Sequence, residues 1–189
     1  MEKERCQWVG TDLLSIQYHD NEWGKPVYED KLLFEFLILE GMQAGLSWLT
    51  ILKKRQNYRE AFDHFDAKRI VNYDSHKFKE LMANEGIIRN KLKIQSIIIN
   101  AGAFLKLKQE AGDFSTYIWS FVDNKPIINH WKNFREIPPQ SVISDAMAKD
   151  LKQRGFKFVG STICYAFMQA IGMVNDHTVD CFCHPESGF

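Results

Sequence analysis

Long apolar runs are missing from this 189-residue chain. No stretch approaches a membrane span, and Met1-Glu2-Lys3-Glu4-Arg5 lacks the apolar centre of a secretory leader, so a cytoplasmic protein is expected. An excess of either charge is missing too. Lys plus Arg (24) balance Asp plus Glu (24), so the whole-molecule field favours no polyanionic partner, and any nucleic-acid surface has to be a local patch. Cysteines are few: Cys6, Cys164, Cys181 and Cys183, read in that compartment as thiols or metal ligands rather than disulfides. Alternating strand patterns, internal repeats and low-complexity segments are nearly absent, which leaves an all-α fold, sized for one domain over residues 1–189.

Periodic apolar runs between capping signals are plentiful. They predict helices over Lys31 to Glu40 (capped by Asp30, ended by Gly41), Leu46 to Arg55, Ser75 to Leu81, a long one from Asn90 closed by Gly112, and Thr116 to Val122. Residues 123–143 hold Pro126, Pro138 and Pro139 and read as an irregular connection. Ser144 is expected to cap a helix to Arg154, and Ser161 another to Ile171.

Three local patterns carry chemistry. Between the last two helices, in an element spanning 144–171, Gly155-Phe156-Lys157-Phe158-Val159-Gly160 forms a glycine-bounded hairpin within Lys149, Lys152, Arg154 and Lys157. It is either a helix-hairpin-helix phosphate grip, with free amides before Ser161, or a solvated helical hairpin. Cys6 and His19 near one end, with His177 and Cys181 near the other, make a two-cysteine, two-histidine zinc set that would staple the termini, although neighbouring Cys183 and His184 leave the ligand choice open. Glu40 falls on the core face of its helix, four residues after Phe36 and three after Leu37. Either it turns outward beside Gly41, or it is a buried carboxylate with a task among Tyr18, Trp23 and Trp48, where a flat cationic ring would fit. Glu35 reads as solvent-facing.

Several segments together resemble the 3-methyladenine DNA glycosylase I family, a branch of the helix-hairpin-helix DNA glycosylases, over nearly the whole chain. They are Cys6-Gln7-Trp8-Val9, Tyr18-His19-Asp20-Asn21-Glu22-Trp23-Gly24, Leu39-Glu40-Gly41, Gln43-Ala44-Gly45-Leu46-Ser47-Trp48, Leu52-Lys53-Lys54-Arg55, Gly86-Ile87-Ile88-Arg89, Trp119-Ser120-Phe121-Val122, Arg154 to Gly160, and Val174-Asn175-Asp176-His177. The resemblance implies one structural zinc per chain on Cys6, His19, His177 and Cys181. It implies a base pocket with Glu40 against the damaged base, Tyr18 and Trp48 as walls and Trp23 close by, and Gly155, Lys157 and Gly160 in the phosphate grip. Ser15 stands where relatives often carry a second pocket tyrosine. Asp176 is given no catalytic role.

The expected activity is release of 3-methyladenine from alkylated double-stranded DNA by a monomer. A target base has to leave the stack, and Leu46, in a glycine-flanked break, is either the wedge that fills the gap or a packed core residue. No lysine stands out as a Schiff-base nucleophile, so a monofunctional enzyme is expected.

Overall fold

The computed structural model describes residues 3–187. Ten α-helices account for most of them: α1 (Leu13–Asn21), α2 (Asp30–Gln43), α3 (Trp48–Leu52), α4 (Arg55–Ala61), α5 (Ala67–Ile70), α6 (Ser75–Ala83), α7 (Lys91–Ala111), α8 (Phe114–Trp119), α9 (Val142–Gln153) and α10 (Ser161–Ala170). Strand among the described residues is confined to β1 (Ile127–Ile128) and β2 (Val174–Asn175), paired in parallel with Ile127 opposite Val174. The all-α expectation holds, and no described helix is long and apolar enough to cross a membrane.

The centre is α2, packed by α3, α7, α8 and α10. Every residue from 33 to 42 is buried, as a helix apolar nearly all round must be. The expectation that Glu35 faces solvent is therefore wrong, because α2 has no solvent face there. Its carboxylate accepts from Arg55 Nε at 2.7 Å and from Arg59 Nη2 at 2.7 Å, while Arg55 also reaches Glu22 at 2.6 Å. Removing one partner of a buried pair strands the other charge. Arg55→Met is expected to destabilise the fold by about 3 kcal/mol, read as a lowered urea midpoint with an unchanged slope.

Several boundaries differ from the sequence expectation. The helix does not stop at Gly41 but runs to Gln43. Gly41 is instead a close approach, since a Cβ there would meet Phe158 Cβ at 3.3 Å. Asp30 is the first helical residue rather than the cap; its carboxylate accepts from Ser115 N and pairs with Lys108. The single helix expected over 46–55 is the short α3, capped by Ser47, after which α4 starts afresh at Arg55. Ser141, not Ser144, caps α9, and the two serines close a reciprocal capping box. Gly160 rather than Ser161 precedes α10. Asn90 and Gly112 bound α7 as expected.

The chain from Gly24 to Val27 lies against the end of α10, with Gly24 N donating to Gln169 O and Val27 N to Ile171 O. Gly172, at φ +70°, makes this possible, because a Cβ would fall 2.3 Å from the Lys25 carbonyl carbon. Gly172→Ala combines left-handed strain with a backbone collision. It should remove roughly 3–4 kcal/mol, a drop in Tm of about 10 °C in a thermal melt.

Candidate active site and metal-ligand cluster

Glu40 sits on the last turn of α2, 3% exposed. Its Oε2 has no partner within the protein, and neither do the indole nitrogens of Trp8 and Trp48. These are the buried side-chain N or O atoms without a hydrogen bond among the described residues, and all three side chains line one cavity of about 210 Å³. Buried polar atoms are nearly always paired, so three orphans around one space mark a place for a ligand. The remaining lining comes from Tyr18, Trp23, Gln43, Phe134, Ala166 and Gln169. Burial alone pushes the Glu40 carboxyl up to about 8. Tyr18 is raised well above its ordinary value, first by burial and then by the Glu40 charge, so its hydroxyl stays protonated.

Local structure aims these groups. Tyr18 is carried by α1, capped by Asp12 through its bond to Leu14 N, and the chain folds back at once, Trp23 N donating to Tyr18 O. Ser47 caps α3 and so sets Trp48 as its first residue. The rings meet edge to face or tilted: Tyr18 and Trp48 at 5.2 Å, Trp8 and Trp23 at 5.0 Å.

The structure thus brings Tyr18, Trp23, Glu40 and Trp48 together. Trp8, Gln43, Phe134, Ala166 and Gln169 were not singled out from the sequence. Trp8 lies in a short 3₁₀ turn, Gln7–Val9, with no period to reveal its facing. Phe134 projects from the connection 123–143, which has no pattern at all. Ser15 is buried on α1 and does not line the cavity.

Leu46, Gly155, Lys157 and Gly160 lie outside the cavity. Leu46 is 40% exposed in the turn between α2 and α3, where Gly45 takes φ +75°. Gly155, at φ +94°, follows the end of α9, Lys157 is exposed, and Gly160 precedes α10 with open space where a Cβ would stand. Asn100 braces this hairpin, donating to Lys157 O at 3.0 Å and accepting from Lys157 N at 2.7 Å. The basic cluster is smaller than its composition suggests, since Arg154 is committed to Asp150 at 2.7 Å and Glu110 at 3.1 Å.

Against the outer side of the aromatic wall, Cys6, His19, His177 and Cys181 converge, all buried, with one donor atom from each within 4.8 Å of the others. Cys181 Sγ is 3.4 Å from His19 Nε2 and 3.4 Å from His177 Nδ1, and Cys6 Sγ is 3.5 Å from His177 Nδ1. Tetrahedral zinc, with bonds of about 2.3 Å to sulfur and about 2.0–2.1 Å to nitrogen, would separate such neighbours by roughly 3.6 Å. The fit is close. The far ring nitrogens are held as well: His19 Nδ1 donates to Asp20 Oδ1 at 2.8 Å and His177 Nε2 to Trp23 O at 3.1 Å, the bracing that ligating histidines require. The hydrogen bond with Cys6, helped by His177 and His19, pulls the Cys181 thiol far down, toward the thiolate a metal needs. The ambiguity over His184 disappears, because its Nε2 donates to Asn129 O. Cys183 lies outside this foursome, its backbone N donating to Cys181 Sγ.

Asp176 is fully buried, and each oxygen accepts twice: Oδ1 from Asn129 and Trp131, Oδ2 from Tyr165 and Gln169. Its lone pairs are occupied in tying the 129–131 segment to α10.

Among the described residues, Glu40 is thus a buried carboxylate with an unpartnered oxygen facing a ring-lined cavity, an arrangement that suits a flat heterocycle of the kind base-flipping proteins receive. The model of the methyladenine glycosylase family matches residues 8–184. DNA-3-methyladenine glycosylase 1 of Escherichia coli K12 is 52% identical over 96% of this chain and 97% of its own. A crystal structure of 3-methyladenine DNA glycosylase I superposes with a TM-score of 0.95 at 54% identity, covering 96% of this chain and all of that one. The enzyme from Staphylococcus aureus, solved to explain 3-methyladenine recognition, gives 0.93 at 36% identity over 96% and 97% of the two chains. The chain belongs to the methyladenine glycosylase family.

Proposed function

We propose that this chain is a monofunctional DNA repair glycosylase that flips 3-methyladenine out of alkylated double-stranded DNA and hydrolyses its glycosidic bond. The observation that carries this reading is the trio of partnerless atoms, Glu40 Oε2, Trp8 Nε1 and Trp48 Nε1, around one cavity. Related enzymes named for 3-methyladenine support the choice of base.

Methylation at position 3 gives the purine a fixed positive charge. Tyr18 and Trp48, with Trp23 beside them, offer ring faces that attract a cation, and Glu40 offers charge and a hydrogen-bond acceptor for the exocyclic amine. Neutral adenine gains little from either. As the bond from sugar carbon to purine nitrogen breaks, its electron pair neutralises the base. Water adds to the sugar carbon and gives its proton to solvent. The charge that selects the lesion also makes it a good leaving group, so Glu40 serves to recognise the cationic base and does not have to protonate it.

Around the cavity, Leu46 is the candidate wedge for the vacated stack. Gly155, Lys157 and Gly160 form the candidate phosphate contact at the start of α10. Cys6, His19, His177 and Cys181 would hold one structural zinc per chain. Four protein ligands leave it no open position for chemistry, and its task would be to fix the segments bearing Trp8, Tyr18 and Trp23. The whole chain acts as one unit, a monomer, in the cytoplasm where its thiols stay reduced.

The test is incubation with methylated duplex DNA. Free 3-methyladenine should be released with the backbone left intact. No lysine lines the cavity, so borohydride should trap no enzyme–DNA adduct; a trapped adduct, or DNA bound with no base released, would contradict the reading.

A further inference from the structure

Lys93 has no part in the mechanism above, yet it is 7% exposed in the first turn of α7. Its Nζ donates to Met42 O at 2.7 Å and to Ala44 O at 2.7 Å. Those carbonyls lie at the end of α2, where a helix leaves acceptors unmet and gathers partial negative charge. Lys93 supplies both hydrogen bonds and the countercharge from a different helix. Burial lowers its pKa, but both acceptors call for the protonated form.

Just beyond this clamp the chain turns sharply. Leu46 N donates to Gln43 O at 2.6 Å, Gly45 takes φ +75°, and Ser47 opens α3. The result is a short turn with an exposed apolar tip, fastened at its base by one ammonium group. On the same stretch of α2, Glu40 and Gln43 line the cavity. Lys93 therefore ties the base of this turn, next to the cavity-lining stretch of α2, to α7.

We propose that Lys93 is a positioning residue that holds the Gly45–Leu46 turn rigid, so that Leu46 fills the gap in duplex DNA as the base leaves. This rests on reading Leu46 as the wedge. A turn that has to be ordered on each encounter would spend binding energy that a preformed one keeps. Single-stranded DNA, with no opposing stack to fill, should not need it.

Lys93→Met, Lys93→Gln, Leu46→Ala and the double variant Leu46→Ala/Lys93→Met are compared on one methylated sequence, as duplex and as single strand. Binding of free 3-methyladenine is followed by tryptophan fluorescence. Lys93→Met should slow duplex excision about 20-fold or more, single-strand excision less than about 3-fold, and change base affinity less than about 2-fold. Lys93→Gln keeps one donor group and should fall between, which preserves the test if Met at this position folds poorly. The double variant should be no slower than the slower single one. Equal losses on duplex and single strand, weakened base binding, or additive losses in the double variant would overturn the clamp. Two failures separate cleanly: Leu46→Ala at the wild-type duplex rate removes the wedge itself, whereas a slow Leu46→Ala with a normal Lys93→Met removes the clamp alone.

Discussion

Glu40→Gln is expected to slow release of 3-methyladenine at pH 7 by up to about 100-fold while making the protein more stable. The loss follows from removing the anionic partner of a cationic base in a dry cavity, where a charged hydrogen bond is worth up to about 3 kcal/mol, roughly 100-fold. The gain follows from linkage. The folded carboxyl is raised to about 8 from an ordinary 4.5, so the native state holds the proton more tightly than the unfolded one. The stability tied to this group is complete below pH 4.5, declines as pH rises toward 8, and is level above that. At pH 7 the ionisable side chain thus disfavours the fold by roughly 3 kcal/mol, which a glutamine does not. The same pKa sets the rate profile. Because the lesion's charge is fixed, kcat/KM should rise about tenfold per pH unit up to about 8 and then level, since it reports the free enzyme. A flat profile from pH 6 to 9 would show that the free enzyme's Glu40 carboxyl is not raised to about 8.

The second large effect is expected from the cluster of Cys6, His19, His177 and Cys181, on the proposal that it holds a zinc. Cys181→Ser, or stripping with a chelator under mildly denaturing conditions, should abolish binding of one zinc per chain as read by atomic emission. It should lower stability by about 5 kcal/mol, a fall in Tm of roughly 10–20 °C. Affinity for the base should fall with it, because Trp23 stacks on His19 at 6.1 Å, meets His177 at 4.7 Å, and touches Trp8. Metal-free protein with an unchanged melting point would make the four side chains an ordinary packed cluster.

Much of this was legible in the sequence where the pattern is regular or the residue type is rare. The period of α7 and its Asn90 and Gly112 bounds could be read directly. Cysteine and histidine are scarce enough to mark the cluster, but Cys183 and His184 left the choice of four open in the residues alone. Glu40 stood out as a carboxylate on an apolar face. Glu35 misleads for a related reason: its place beside apolar residues suggests a solvent face, whereas α2 is enclosed on every side and its ion-pair partners come from distant α4. Helix α1 went unseen because Leu13 and Leu14 are exposed at 74% and 42%, so its apolar residues mark no face. Trp8 and Phe134 reach the cavity from two separate 3₁₀ turns and Gln169 from a distant helix, a convergence only tertiary structure sets.

The central claim is tested most directly by titrating the protein calorimetrically with 3,9-dimethyladeninium, a purine with a fixed positive charge and a methyl in place of the sugar, against neutral 9-methyladenine. At pH 7 the cation should bind at least about 30-fold more tightly and expel nearly one proton, as a Glu40 carboxyl of about 8 is driven to ionise. In Glu40→Gln the proton release should vanish and the preference for the cation should shrink to what the ring faces supply. Equal affinity for the two purines, with no proton released, would contradict the account.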